Sequence, residues 1–365
     1  MAEDLPPHIA TLQRQSYQST RAEGMAGTGL GSVTDADAAF LNPALIGGGY
    51  TPTAGLNHVS FPGLAVGSTT DSLEFGGELL GSDELGKGLA SVVDKVGSDQ
   101  GMHYRQQMFP NFVYSRLLFG VLQTATADVH GYRLGTNQDV DAVFSRSELQ
   151  GVFGFSVPMG PRALVGATAR YGLRWVMAGV VEDGPGTNGS SVADVEKSGQ
   201  WLRGSTVDVG FNVLLAPKAG VLASLVGRNV AKSLDTFQSP GSSDDALVAT
   251  TEATDVDVGL AWTPRFKRAL LSPSLSLEAH EVARSDLELE DKIRLGAELV
   301  FGNNASSAPF ALRLGHNLSG WSYGASVDLF LCRLEGAVHT KAVHLGTESR
   351  VETHYLLRTS WDLGR

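Results

Sequence analysis

From Pro110 to the C-terminus the chain repeats a pattern that few folds tolerate. Apolar residues fall at every second position, opposed by a face that mixes both signs of charge with glycine. Val207, Val209, Phe211 and Val213 alternate with Thr206, Asp208, Gly210 and Asn212. Val256, Val258, Leu260 and Trp262 alternate with Asp255, Asp257 and Gly259. Ile293, Leu295, Ala297 and Leu299 alternate with Arg294, Gly296 and Glu298. Arg313 lies between Leu312 and Leu314, and Asp328 between Val327 and Leu329. Side chains on an extended strand point to opposite faces with period two, so each run is a strand with one greasy and one ionic side. About fourteen such runs follow one another, counting one near Leu56 and reading "NFVYSRLLFG" as a single strand.

Alternation does not say which side faces water. A soluble sandwich would pack Val256, Leu295 and Leu329 together inside and expose the charges. A membrane barrel would turn the apolar side to lipid and the polar side to an enclosed lumen. The runs suit the roughly ten tilted residues that cross a bilayer, and they are consecutive and closely spaced, as an up-and-down meander requires. The expected fold class is therefore all-β: a transmembrane antiparallel β-barrel of about 14 strands with an N-terminal hatch or plug and one short helical insertion. A large soluble β protein is the alternative. Trp262, Trp321, Tyr323, Tyr355 and Trp361 are expected at the membrane interface. The longer joints at 182–200 and 237–245, rich in Gly, Ser and Asp, are expected to be external loops.

The bulk numbers agree. Glycine reaches 44 of 365 residues, suited to many turns and crowded strand faces. A net charge of −11 and the lack of any Lys/Arg run disfavour nucleic acid. Cys332 is the sole cysteine, so no internal disulfide forms. No run of 18 apolar residues exists. "MAEDLPPHIATLQRQSY" lacks the basic start and apolar core of a leader, so an outer-membrane reading implies a mature form with its signal peptide absent from this chain.

The N-terminal part is different in kind. Met1 to Arg21 reads as a flexible or loosely docked arm. "GMAGTGLGSVTDADAAFLNPALIGGG" (24–49) follows, with Gly27, Gly29 and Gly31, the carboxylates Asp35 and Asp37, then Phe40, Asn42, Pro43, Leu45 and Ile46. Glycines let a backbone pass close to a wall. Asn42 before Pro43 sets a bend, with Phe40, Leu41, Leu45 and Ile46 as an apolar lining beside it. A buried Asp35 or Asp37 needs a cationic partner, for which Arg294, Arg313 and Arg358 are candidates. Leu85, Leu89, Val92, Val93 and Val96 form one apolar helix face, placing the insertion near 82–97. The expected division is 1–50, arm and hatch, and 51–365, barrel with that insertion.

The stretch 24–49 resembles the N-terminal hatch of the FadL-like long-chain fatty acid transporters, whose relatives include PorV-like barrels. The resemblance rests on Gly24, Gly27, Gly29, Gly31, Asp37-Ala38, Phe40 and Asn42-Pro43-Ala44, with Leu45-Ile46. It implies a 14-stranded outer-membrane barrel that passively transports hydrophobic, fatty-acid-like small molecules and releases them laterally through its wall. The alternative is a plugged docking barrel, PorV-like, for a periplasmic or surface-exposed protein partner. Outer-membrane lipid is a partner under both. Arg365 at the end departs from the terminal aromatic usual in such barrels, with Trp361 four residues earlier.

No enzyme motif accompanies this pattern. The glycine stretch lacks the G-x-x-x-x-G-K-[S/T] signature and there is no G-x-S-x-G elbow. His280 beside Glu278 is too few ligands for a metal, and His339 and His344 fall on opposite faces. No catalytic residue, cofactor or metal is assigned. Asp208, Asp255, Asp257, Glu278, Arg294, Glu298, Arg313, Asp328 and Arg358 are expected to form a lumenal charged lining paired across strands.

Overall fold

The structure is a computed structural model that describes residues 17–33, 35–48, 50, 57–61, 64–69, 101–134, 138–182, 199–237, 254–264, 271–284, 289–301, 309–329, 332–345 and 348–363. The first two barrel strands are each in two pieces: β1 is Asn57–Phe61 and Leu64–Thr69, and β2 is Gly101–Met108 and Asn111–Tyr114. Then follow β3 (Leu117–Leu134), β4 (Gln138–Pro158), β5 (Ala163–Glu182), β6 (Gln200–Ala216), β7 (Val221–Phe237) and β8 (Asp255–Trp262). The last are β9 (Leu271–Ala279), β10 (Ile293–Phe301), β11 (Phe310–Asn317), β12 (Gly320–Leu329), β13 (Cys332–Leu345) and β14 (Glu348–Leu363). Each strand pairs antiparallel with its sequence neighbours, and β14 returns to β1 with Trp361 opposite Phe61 and Leu357 opposite Val66. Fourteen strands thus close on themselves and leave no open edge, as lipid requires.

Among the described residues no helix is long and apolar enough to cross a membrane. The strands provide the crossing, because polarity is inverted relative to a soluble protein. Leu295 and Leu329 are 49% and 53% exposed and Val256 is half-buried, whereas Asp208 and Glu278 are 1% and 2% exposed. The soluble alternative needed these three aliphatics in a core and is overturned. Trp262, Trp321, Tyr323, Tyr355 and Trp361 all point outward.

The structure corrects several local readings. "NFVYSRLLFG" is a hairpin, not one strand: Asn111–Tyr114 ends β2, Ser115 turns with φ 54° and Leu117 opens β3. Gly101–Met108 is a strand that the alternation hides, because Gln106 on its outer side breaks the greasy face. The two errors cancel in the count. The arm is not loose at its end, since Tyr17, Ser19, Thr20 and Arg21 are buried. The predicted helix at 82–97 and the loops at 183–198 and 238–245 lie outside the described residues.

Candidate functional site

Residues 24–33 and 35–47 run round the inside of the wall in descending strand order, and glycines on the lumenal faces of seven strands make the approach possible. Gly24 rests on Gly324 of β12, Met25 on Gly315 of β11, Thr28 on Gly296 of β10 and Leu30 on Gly259 of β8. Asn42 meets Gly210 of β6, Pro43 and Ala44 meet Gly166 of β5, and Ile46 meets Gly154 of β4. A Cβ at Gly166, Gly210 or Gly315 would collide with the plug's backbone or with Asn42. Strand-interior glycine marks such close backbone approach. On the plug side, Gly31 fits against Ala261, and Gly47, at φ 80°, fits against the Ser115 carbonyl of the β2–β3 turn.

Charged wall residues fasten the plug. Arg21, in the short helix α1 (Thr20–Glu23), grips Glu298 with two nitrogens at 2.9 and 2.5 Å, and Arg313 holds the same carboxylate at 2.9 Å. Glu278 accepts the amides of Gly29 and Leu30, each at 2.8 Å. Arg228 donates to the Phe40 carbonyl and, at 2.7 Å, to that of Leu41, while its Nε reaches Asp257 at 2.8 Å. Asp37, ahead of helix α2 (Ala38–Leu41), receives the hydroxyls of Tyr17 and Ser19 and the Arg358 guanidinium at 2.9 and 3.1 Å. Burial pushes the Asp37 carboxyl up, but Arg358 with the two hydroxyls outweighs it and holds the group below the ordinary carboxylate range. Asp35 accepts the Asp37 amide at 3.0 Å and lies 3.8 Å from Arg21. Asn42 makes the expected bend: its Oδ1 accepts the Ala44 amide at 3.1 Å, opening the 3₁₀ turn Pro43–Leu45. Its Nδ2 ties the turn to the Leu30 carbonyl at 2.7 Å.

Of the three arginines foreseen for the carboxylates, Arg358 takes Asp37 and Arg313 takes Glu298 instead. Arg294 lies over Gly27, whose lack of a Cβ leaves room for the guanidinium. Asp208 pairs with Arg170 at 2.9 Å, Asp328 with Arg333 at 3.5 Å, and Asp255 accepts the Ala283 amide at 3.2 Å.

The opposite side of the plug is apolar. Phe40, Leu45 and Ile46 join Phe109, Val113, Leu118, Leu122, Val152 and Leu164 of β2–β5 in one buried cluster. Tyr17 stacks on Phe40 at 4.2 Å, and Phe109 meets Phe40 edge-on at 4.9 Å. This seam adjoins the irregular part of the wall. Phe61 faces Trp361 while Ala65, four residues on, faces Arg358, three residues away. The pairing with β2 slips likewise, from Ser60–Asn111 to Leu64–Met108. The register of β1 against both neighbours therefore differs by one residue between its two pieces. Pro110, between the two pieces of β2, has no amide to give to the ladder.

On the ionic side a cavity of about 110 Å³ lies between the plug and β5–β10, floored by Tyr17, Phe40 and Leu41. Arg170, Arg228, the Arg146–Glu148–Arg174 group and Gln107, which brackets the Gln18 backbone, were not picked out from sequence. Their arginines do sit among polar neighbours on alternating strands, which was the available signal. A histidine group is also not legible in the sequence: the ring of His354 lies 5.2 Å from that of His339 on the paired strand β13 and 4.8 Å from that of His103 on β2, which comes near β14 only when the barrel closes through β1. Among the described residues no cluster of three or more His, Cys, Asp or Glu could hold a metal ion.

No protein-family model and no curated protein matches the chain. Solved structures do. The toluene transporter TodX of P. putida aligns with a TM-score of 0.53 at 11% identity, over 96% of this chain and 99% of that one. The toluene transporter TbuX of Ralstonia pickettii aligns with a TM-score of 0.50 at 12% identity, over 95% and 98%. At such identities the likeness is one of fold: the chain's closed fourteen-stranded barrel is similar in overall architecture to these two structures.

Proposed function

We propose that the protein is an outer-membrane barrel that passively admits hydrophobic small molecules, with residues 1–50 as hatch and 51–365 as barrel. It performs no chemistry in this reading. The observation that carries it is the apolar seam between the hatch and β2–β5, lying beside the change of register in β1. The seam is lined by side chains that a greasy molecule wets, whereas the axial path elsewhere meets ion pairs. A hydrophobic solute is costly to carry past charges and gains by leaving sideways into lipid. Phe40, Leu45 and Ile46 form the movable wall of the seam, Asn42-Pro43 its hinge, and Gly27, Gly29 and Gly31 the clearance. Asp35 and Asp37 with Arg21 and Arg358 hold the closed state. The likeness in fold to TodX and TbuX, toluene transporters both, supports a ligand of hydrocarbon character. A protein-docking role finds no such support.

The test is uptake of labelled toluene by cells whose outer membrane carries the protein. Uptake is expected to exceed that of cells without it, and Phe109→Ala, which widens the seam, is expected to raise it several-fold. Equal uptake with and without the protein would refute the reading.

A further inference from the structure

Arg294 is out of place electrostatically. It sits directly across the ladder from Glu278, the position where an ion pair is expected. Yet Glu278 is fully engaged elsewhere: Oε1 takes the Gly29 and Leu30 amides, and Oε2 takes His280 Nε2 at 2.9 Å. The plug has captured the acid that would have answered Arg294. Among the described residues Arg294 makes no hydrogen bond and no ion pair. It is half-buried, and Gly27 has no side chain to cover it.

The other charges around the same cavity are spoken for. Arg170 holds Asp208, Arg228 holds Asp257 and Arg284 holds Glu281 at 3.0 Å. Asp255 is answered by backbone amides and Glu23 by His339 at 3.5 Å. A cation left without an acceptor in a recess of this kind is costly unless an anion fills the vacancy. The cavity also sets a size. At about 10–15 Å³ per water-sized site, 110 Å³ takes a body of roughly ten heavy atoms. Tyr17, Phe40 and Leu41 give that body an apolar floor.

We propose that Arg294 and this floor form a binding site for a compact carboxylate with a ring-sized apolar body. A neutral hydrocarbon would leave the cation unanswered, and a long acyl chain would not fit. The site lies on the ionic side of the hatch, apart from the apolar seam; it goes beyond the transport reading and rests on it only for the ligand's onward passage.

Calorimetric titration of the purified full-length chain in detergent tests it with benzoate, the neutral isostere benzyl alcohol, and dodecanoate. Benzoate is expected to bind at least tenfold tighter than either. Arg294→Gln should abolish the preference over benzyl alcohol and Arg294→Lys should retain most of it. Equal binding of benzoate and benzyl alcohol to the wild type overturns the proposal, whether or not the variants fold. A preference that persists in Arg294→Gln also overturns it, and tighter binding of dodecanoate overturns the size assignment. Toluene uptake is scored separately. Its failure with the benzoate preference intact refutes transport of hydrocarbons alone, and the reverse outcome refutes this site alone.

Discussion

Glu298 illustrates how single residues hold the hatch. One carboxylate of β10 answers both Arg21, from the N-terminal segment, and Arg313, from β11, and all three are buried. Removing one member of a buried pair leaves an uncompensated charge and costs about 3–5 kcal/mol. Glu298→Gln is therefore expected to free α1, and trypsin should then cut after Arg21, a bond protected in the wild type. Mass spectrometry of the digest checks this. Asp37 carries a pH prediction. Its folded pKa is depressed, so its contribution to docking is complete above the unfolded carboxylate value of about 4 and is lost only as pH falls through the lower folded value. The wild-type hatch should resist pepsin at pH 4, whereas Asp37→Asn, which has no charge to offer Arg358, should be cleaved there. The sequence offered Arg358 as one of three candidate cations for Asp35 or Asp37, because a buried acid needs a cation. It did not foresee that Glu278 would abandon Arg294 for two amides, because that choice depends on where Gly29 and Leu30 are delivered.

At the scale of elements, the wall strands serve two neighbours at once. Their outer residues meet lipid and their inner glycines meet the hatch. Gly166→Val should strike the Pro43 carbonyl and displace the 3₁₀ turn, at a cost of about 1–3 kcal/mol for overpacking. Denaturant unfolding in detergent measures the cost, and a shift in the toluene uptake rate would report the displaced turn. Leu295→Arg probes the other face. Arginine on the lipid side costs up to about 2–4 kcal/mol near the bilayer midplane and less toward its edges, so barrel stability in lipid vesicles should fall. Most strands were legible as elements because alternation is a property of neighbouring residues. The hairpin at Ser115-Arg116 was not, because "NFVYSRLLFG" has no glycine, proline or asparagine in the turn itself, and Ser115 adopts positive φ without announcing it.

The whole molecule is a closed wall filled by its own N-terminal segment, fastened by ions on one side and by greasy contacts on the other. That asymmetry puts the apolar seam along β2–β5 and the cavity with Arg294 on the other side. The sequence by itself determined the two faces of each strand, the approximate strand number and the character of the plugging stretch. Each of these follows from residue type at short spacing, through period-two geometry and the clearance of glycine. Only the tertiary structure decided that the apolar face looks outward, that β14 closes on β1, and that Arg21 meets Glu298 across 277 positions. Register and closure fix which distant side chains share the lumen, and a one-residue change of register such as that in β1 alters every pairing beyond it, so no local pattern carries that information.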